Sequence, residues 1–263
     1  MSRWRIAGVL VQFVFAVLSF EVAAKPALRV VFPDDYYPFY YRDAAGDYKG
    51  ASFEIVSQLC RNLGYDVKVT QLSSMRLMLD DLGSGKQDVS VNLTTTPERA
   101  KVALFTSVPH IYESQNLISR ADNNVNFQGR LIDLSRYRFG PILGWTYGPQ
   151  FDNAEFLNKA YVNNSVDQLK GLLSGRFDFA INNPLYFRNM ALKLGVSRAF
   201  KVLEPAVFTL PVTIGVSRQY PQAAQLVQDL EQELVRFQAQ AAYKEILTRY
   251  GFEPAQMLGG DGS

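Results

Sequence analysis

Two copies of one stretch decide the fold: LGSGKQDVSVN at residues 82–92 and LLSGRFDFAIN at residues 172–182. Each copy reads as the end of a helix, a glycine turn, an aspartate, a short apolar strand and an asparagine. The glycine suits the left-handed conformation that follows a helix, and the aspartate can accept hydrogen bonds from turn amides. Two copies that agree at nearly every defining position predict two lobes built on one plan.

Strand-like and helix-like segments alternate around both copies, which is typical of an α/β architecture. The patterns predict strands at 28–32, 65–71, 89–91 and 139–143, and helices at 52–63 (with Ser52 as N-cap), 77–82, 223–237 and 241–250. We therefore expect two similar α/β lobes, each a mixed sheet flanked by helices, joined by two extended crossovers. The carboxyl ends of strands from both lobes should face one cleft, where α/β sheets place their ligands.

The domain boundaries follow from the two extended segments at 116–120 and 209–217, which we predict to be the crossovers. The predicted lobes are residues 25–117 with 215–255 for lobe 1, and residues 118–214 for lobe 2. The tail at 256–263 contains three glycines and is expected to be loose.

A secretory signal peptide is predicted at residues 1–24. Arg3 and Arg5 precede an apolar run from Ile6 to Phe20, and small residues follow at the cleavage position. The alternative is an uncleaved membrane anchor, but the run is shorter than the roughly 20 residues that a spanning helix needs. We expect a mature protein located in the periplasm, without membrane insertion.

The composition argues against several classes of function. The formal net charge is +2 and no basic run occurs, so nucleic-acid binding is not favoured. The single cysteine, Cys60, lies on an apolar helix face and should be a buried thiol. The single histidine, His110, has no second histidine or cysteine to join it, so no metal site is predicted. No phosphate loop or nucleophile elbow occurs, and we expect neither a cofactor nor an enzyme.

Arg99 is the strongest candidate for a ligand contact. It closes the motif Thr94-Thr95-Thr96-Pro97-Glu98-Arg99, in which Thr96 suits a helix N-cap and Pro97 the first helical position. A helix starting there would gather free amides, hydroxyl groups and a guanidinium at one point, which suits a carboxylate. The alternative is a capped surface helix with a solvated arginine.

Aromatic side chains are the second group of candidates. Gly144-Trp145-Thr146-Tyr147-Gly148 occupies the comparable place in the second lobe, where Trp145 and Tyr147 offer flat rings for stacking. An aromatic-rich turn that packs on its own lobe is the alternative. The loop that contains Tyr36 crowds further rings after the first strand, and we expect about two of them to reach the cleft.

These motifs together resemble family 3 of the bacterial extracellular solute-binding proteins, the type II periplasmic proteins of polar amino acid ABC transporters. The resemblance covers essentially the whole predicted mature chain, and the Thr-Pro-Glu-Arg element is its most specific part. The matching residues are Leu28-Arg29-Val30, Tyr37-Pro38-Phe39, Gly46, Gly50, Leu63-Gly64-Tyr65, Ser84-Gly85 with Asp88, Thr96-Pro97-Glu98-Arg99, Phe105, Gly144 with Thr146, and Gly175-Arg176-Phe177-Asp178.

The resemblance implies a role for each matching position. Arg99 falls on the arginine that binds the α-carboxylate of the ligand, and Thr94 on a threonine that assists it. Asn92 falls on a position whose backbone carbonyl takes the α-ammonium. Thr146 falls in the anion-binding turn of the second lobe, and Tyr36 falls where a stacking aromatic ring is common.

Two departures from the family pattern bear on the ligand. The second-lobe aspartate that pairs with the α-ammonium aligns with Asn183, and the aromatic residue opposite the first stacking ring aligns near Met75. Asparagine brings no charge, and loss of a charge-assisted hydrogen bond costs about 1.5–3 kcal/mol. We therefore expect a small carboxylate ligand that need not be an ordinary amino acid.

The predicted function is a monomeric solute-binding protein that clamps a small carboxylate for an ABC transporter or a membrane sensor. An alternative is a periplasmic dehydratase acting on a cyclic carboxylate such as prephenate or arogenate, as some members of this fold family do. A cleft acid such as Glu113 or Glu204 would then be the general acid. A third possibility is a partner-binding scaffold whose cleft has lost its ligand.

Overall fold

The computed structural model describes residues 26–252, so the predicted signal peptide and the predicted loose tail lie outside the described residues. The strands are β1 (Ala27–Phe32), β2 (Tyr41–Arg42), β3 (Tyr48–Lys49), β4 (Asp66–Gln71), β5 (Val89–Leu93), β6 (Ala103–Phe105), β7 (Ile111–Arg120), β8 (Arg138–Gly140), β9 (Asn158–Lys159), β10 (Phe179–Asn182), β11 (Phe200–Val202) and β12 (Phe208–Ser217). The α-helices are α1 (Ala51–Asn62), α2 (Met75–Gly83), α3 (Pro149–Asp152), α4 (Ser165–Leu173), α5 (Pro184–Lys193), α6 (Ala223–Gln238) and α7 (Ala241–Arg249). Among these helices, none has the length and apolar character needed to cross a membrane.

The main sheet has ten strands, of which eight lie in the order β4-β1-β5-β12-β7-β10-β8-β9. Strand β6 adds beside β12, and β11 adds beside β7. On one side β1 runs parallel to β4 and β5, and on the other β8 runs parallel to β10 and β9. The two halves therefore have the same order when read outward from the middle, and β5 and β10 occupy equivalent places. We call the half with β1 the first lobe and the half with β8 the second lobe.

The repeated aspartate makes the same hydrogen bond in both lobes. Asp88 accepts a hydrogen bond from the backbone N–H of Arg29 at 2.8 Å, and Asp178 accepts one from that of Arg138 at 2.8 Å. In both copies the arginine side chain then donates to the carbonyl of the turn glycine at 2.8 Å. The aspartate thus connects each central strand to the neighbouring strand, whereas the sequence predicted hydrogen bonds to amides of the turn.

Two long strands join the lobes. β7 and β12 pair antiparallel from Gln115 opposite Phe208 to Ile111 opposite Val212. β7 then continues beside β10 in the second lobe, while β12 continues beside β5 and β6 in the first. The predicted crossovers lie at the second-lobe end of β7 and within β12, and the pairing that bridges the lobes spans 111–115 and 208–212. The predicted domain boundaries stay predictions.

The buried apolar side chains divide between the lobes. The largest cluster draws on residues 28–111 and 212–252, whereas two further clusters draw only on residues 117–207. Helices α1 and α6 pack on the first lobe, as the apolar stripe over 223–237 predicted. Cys60 is fully buried in this cluster, and burial raises the pKa of its thiol to about 12, in agreement with the predicted buried thiol.

Two local predictions are wrong. The helix expected from Thr96 is a single 3-10 turn, Arg99–Lys101, because the chain enters β6 at Ala103. Ser52 does not cap α1, since Gly50 occupies the N-cap with φ 120°. A Cβ at Gly50 would lie 2.4 Å from the carbonyl oxygen of Phe39, so the close approach of the two backbones requires glycine here.

Candidate functional site

Ten residues from both lobes and from the joining strands line a small inner cavity. Its volume is about 30 Å³, and its lining consists of Tyr36, Tyr40, Met75, Asn92, Thr94, Arg99, Glu113, Trp145, Thr146 and Leu210. Seven of the nine residues predicted to bind ligand are among them; Tyr147 and Asn183 are not. The structure brings these seven together, and their contact with a ligand stays a prediction.

Arg99 reaches from the first lobe to the second. Its Nη1 donates to the carbonyl oxygen of Thr94 at 3.0 Å, and its Nη2 donates to that of Gly144 at 3.2 Å. The residue is only 6% exposed, and within residues 26–252 no ion pair joins it to a carboxylate. Burial lowers its pKa to about 10, against the opposing influence of Tyr40 and Glu113. A buried guanidinium without an anionic partner favours binding of a carboxylate.

Aromatic contacts cross the same junction. The ring centroid of Tyr36 lies 4.9 Å from that of Trp145, in an edge-to-face contact, and 4.6 Å from that of Tyr186. Tyr36 comes from the loop after β1, whereas the other two belong to the second lobe. Tyr36 and Trp145 therefore form one wall of the inner cavity that is shared between the lobes, and Tyr186 packs behind Tyr36 and lines the outer cleft. The hydroxyl of Thr146, which also lines the cavity, donates to Asp152 of its own lobe.

Tyr147 does not offer the cleft-facing ring that the sequence predicted. Its ring packs edge to face on Phe151 in the second-lobe core, where it is 1% exposed. Its hydroxyl oxygen accepts a hydrogen bond from the backbone N–H of Ile142 at 2.8 Å. The alternative stated for this segment, a turn that packs on its own lobe, describes Tyr147, while Trp145 lines the cavity.

Asn183 also lies apart from the lining of the inner cavity. Its Oδ1 accepts from the backbone N–H groups of Leu185 at 3.0 Å and Tyr186 at 3.1 Å and so caps α5. Its Nδ2 donates to the carbonyl oxygen of Ser114 in β7 at 3.2 Å. The side chain is only 2% exposed, and both its oxygen and its nitrogen are hydrogen-bonded. It therefore attaches α5 to β7.

Glu113 is the main lining residue that was not predicted as a binding residue; the sequence suggested it only as an acid for the alternative function. It lies on β7, is 5% exposed, and accepts hydrogen bonds from the Tyr36 hydroxyl and from Nε2 of Gln115. Burial raises its pKa to about 7, although the hydrogen bonds of Tyr36, Gln115 and Asn92 and the charge of Arg99 act against the rise. The available signal was an acidic residue near the start of β7, a strand whose residues 111–119 carry no other charge.

His110 lies behind the lining of the inner cavity and supports the lining residue Asn92 through Ser52. Its Nε2 lies 3.0 Å from Ser52 Oγ, and Ser52 Oγ donates to Asn92 Oδ1 at 2.7 Å. Because the serine proton is used in this way, His110 Nε2 must carry its own proton. Burial lowers the pKa of the imidazole to about 3, so it remains neutral near pH 7. The neutral, enclosed ring positions Ser52 and Asn92.

A wider outer cleft of about 910 Å³ lies beside the inner cavity, and Met75 and Trp145 line both. Its charged lining residues are Asp34, Asp35, Arg76, Asp80 and Asp167. Burial and the charge of Asp35 raise the pKa of Asp34. The cleft between the lobes is thus acidic at its mouth, while the inner cavity holds one arginine and one glutamate.

Two α/β lobes, two joining strands and a cavity between them are the fold of type II periplasmic binding proteins. The model of the bacterial extracellular solute-binding proteins, family 3, matches residues 28–253, and the chain belongs to this family. Both the predicted family and the predicted fold class are confirmed.

Similar proteins include binders, a sensor and an enzyme. An ancestral arginine-binding protein bound to arginine superposes with a TM-score of 0.71 at 21% identity, covering 87% of this chain and 99% of that one. A histidine kinase sensor domain with similarity to periplasmic binding proteins has a TM-score of 0.75 at 17% identity, covering 87% and 97%. The cyclohexadienyl dehydratase of Pseudomonas aeruginosa is 29% identical over 109 residues, which span 41% of this chain and only 40% of the dehydratase.

Proposed function

We propose that this protein is a periplasmic solute-binding protein that closes its two lobes on a small ligand bearing a carboxylate. Arg99 is the anchor of that carboxylate, and Tyr36, Met75 and Trp145 surround the rest of the ligand. The bound molecule is delivered to an ABC transporter or presented to a membrane sensor. The similarity to a sensor domain and to an arginine-binding protein is compatible with either outcome.

The observation that carries the proposal is the buried guanidinium of Arg99. Its Nη1 and Nη2 donate hydrogen bonds to neutral carbonyl groups, one in each lobe. Burying a charge without an oppositely charged partner is costly, and a carboxylate can satisfy the planar fork with two parallel hydrogen bonds. A ligand bound there would touch both lobes at once, which links its binding to closure of the cleft.

A thermal-shift screen of unfolded and refolded protein, free of carried-over ligand, tests this proposal. The panel comprises amino acids, organic acids and small peptides. A ligand at about 100 times its Kd stabilises the folded state by about 2.7 kcal/mol, which a melting curve resolves easily. We expect only carboxylates to raise the Tm. The absence of any stabilising compound would instead support the scaffold hypothesis.

Dehydration of a cyclic carboxylate is the second candidate function. Glu113 favours it, because a buried acid whose pKa is about 7 can hold a proton near neutral pH in the same cavity as Arg99. The partial match to cyclohexadienyl dehydratase supports the same choice. Incubation of the purified protein with prephenate and arogenate separates the two functions. Product formation that is lost in Glu113→Gln supports an enzyme, whereas stoichiometric binding without product supports a binding protein.

A further inference from the structure

We propose that Glu113 and Arg99 form a proton-coupled pair, in which a carboxylate that binds to Arg99 makes Glu113 take up one proton from solvent. The protonated Glu113 then donates a hydrogen bond to a second polar group of the ligand. This inference deepens the proposed function and rests on it in one respect, the contact of the ligand carboxylate with Arg99. It defines the ligand class as carboxylic acids with a neighbouring hydroxyl or carbonyl oxygen, rather than an ammonium group.

The geometry places both groups in one enclosed space. Arg99 and Glu113 line the same inner cavity of about 30 Å³, and they are 6% and 5% exposed. A ligand small enough to enter this space meets both. Glu113 is fixed by the hydroxyl of Tyr36 from the first lobe and by Gln115 two residues along β7. Its position in the joining strand β7 puts it between the two lobes.

In the described part of the chain, Arg99 is the permanent charge that acts on the ionisation of Glu113. The titratable groups that influence it electrostatically are Arg99, Tyr36, Tyr40 and Tyr147. Burial raises the pKa of all three tyrosines, so they stay neutral near pH 7. His110, which reaches Asn92 through Ser52, is also neutral there because burial lowers its pKa to about 3.

Neutralisation of Arg99 therefore changes the state of Glu113. The positive charge of Arg99 lowers the pKa of Glu113, which burial has already raised to about 7. A ligand carboxylate bound to the guanidinium cancels this influence and adds a negative charge nearby, so the pKa of Glu113 rises further. Near neutral pH the ligand and the proton consequently bind together.

The protonated acid selects the second polar group of the ligand. A neutral carboxyl group has one hydrogen-bond donor, which an oxygen acceptor on the ligand satisfies, whereas an ammonium group has donors only and pairs most strongly with an ionised acid. Among residues 26–252, Glu113 is the only acid that lines the inner cavity. Asn183, at the position where the family carries its aspartate, is used to cap α5 and bonds Ser114. A single acid cannot both take up a proton from solvent when the carboxylate binds and serve as the charged partner of an ammonium group.

The first experiment needs no ligand. Infrared difference spectra against Glu113→Gln follow the carboxyl band of Glu113 as the pH is raised, in the otherwise native chain and in Arg99→Met and Arg99→Lys. We expect the midpoint near the native pKa of about 7 in the native chain and in Arg99→Lys. In Arg99→Met the fraction of protonated Glu113 one pH unit above that midpoint should rise severalfold. An identical midpoint in the Met and Lys variants overturns the coupling.

The second experiment uses three matched probes, propanoate, L-lactate and L-alanine, which differ only in the hydrogen, hydroxyl or ammonium group beside the carboxylate. Calorimetry in two buffers of different ionisation heat, just above neutral pH, counts protons. We expect L-lactate to bind best, with uptake of up to one proton, and its Kd to rise about tenfold per pH unit above the pKa of Glu113. In Glu113→Gln, which keeps a donor, proton uptake and the pH dependence should vanish.

The outcomes separate this inference from the proposed function. Preference for L-alanine with proton release overturns the inference, because Glu113 would then pair with the ammonium group. Lactate binding of equal strength in Arg99→Met and Arg99→Lys overturns the proposed anchor. If none of the three probes binds, the infrared midpoints alone decide the coupling, and the thermal-shift screen decides the proposed function.

Discussion

Arg99 in the first lobe donates a hydrogen bond from Nη2 to the backbone carbonyl of Gly144 in the second lobe, at 3.2 Å. The same guanidinium holds Thr94 of its own lobe through Nη1. One side chain thus belongs at once to the inner cavity and to the contact between the lobes. Loss of its charge should affect ligand binding and closure together.

Replacing Arg99 by alanine should weaken binding of the carboxylate found in the thermal-shift screen at least tenfold while the fold stays intact. The lost interaction is the charge-assisted hydrogen bonding between the guanidinium and the ligand carboxylate. A tenfold rise in Kd corresponds to about 1.4 kcal/mol of binding free energy. Titration calorimetry measures it, and circular dichroism checks the fold. The control is Arg76→Ala at the cleft mouth, whose side chain is 82% exposed and which should bind nearly as the native chain does. Equal affinities of Arg99→Ala and the native chain would contradict the anchor.

Asn183→Asp should lower stability and leave the ligand preference unchanged. If Asn183 reached the ligand, as its alignment with the family's aspartate implies, the change would instead favour α-amino acids. In the structure, an aspartate can still cap α5 but cannot donate to the carbonyl of Ser114, and two oxygens would face each other in a buried place. We expect a loss of about 1–3 kcal/mol in the free energy of unfolding, measured with urea. A gain in affinity for amino acids would show that the side chain does reach the ligand.

The two repeated aspartates offer a matched pair of substitutions. Asp88→Asn and Asp178→Asn each weaken a charge-assisted bond to the backbone N–H of an arginine on the neighbouring strand. The Asp88 side chain is 4% exposed and that of Asp178 is 34% exposed. We therefore expect a loss of about 1.5–3 kcal/mol for Asp88→Asn and a smaller one for Asp178→Asn. Chemical unfolding of both variants decides the order, and the reverse order would contradict the role of burial.

Glu113 should make stability fall as the pH rises. Its folded-state pKa of about 7 exceeds the reference value of 4.5, so folding favours the protonated form. That contribution is complete below about pH 4.5 and is lost as the pH passes about 7, a change of roughly 3 kcal/mol. The measurement is the free energy of unfolding of the native chain relative to Glu113→Gln across this range. A difference in unfolding free energy that stays constant with pH would contradict a raised pKa for Glu113.

His110 should act in the opposite direction. Its pKa falls from 6.5 to about 3 on burial, so folding favours the neutral ring. The contribution is complete above about pH 6.5 and is lost as the pH falls toward 3. Relative to His110→Gln, the native chain should therefore lose roughly 3 kcal/mol between about pH 7 and pH 4. Because it is the single histidine, its NMR signal reports the same titration directly.

The repeat predicted the fold well because it joins a local signal, a glycine turn after a helix, to an aspartate that fixes the central strand to the strand beside it. The equivalent places of β5 and β10 in the sheet follow from it. Local sequence patterns were misleading elsewhere. The sequence around Thr96 has every cap signal for a helix, but the chain leaves after one turn to pair β6 with β12, which the local sequence does not show.

Most of the cavity lining was predicted from the sequence, but residues whose place depends on tertiary contacts were misjudged or missed. Seven predicted residues line one cavity, whereas the side chain of Tyr147 is buried in its own lobe and that of Asn183 joins α5 to β7. Alternation along a short turn cannot tell which of two neighbouring rings turns inward. Glu113 acquires its character from burial and from Tyr36, which lies 77 residues earlier in the chain, and no spacing reveals such a contact.

The chain path through β7 and β12 has a practical consequence for measuring how the protein moves. The second lobe is an insertion between two strands of the first lobe, and both ends of the described chain, Pro26 and Phe252, are anchored in the first lobe. A tether attached near either end therefore loads one lobe only and leaves the other free to swing. A dye pair with one label on each lobe, on protein immobilised in this way, should read opening and closure without interference from the support.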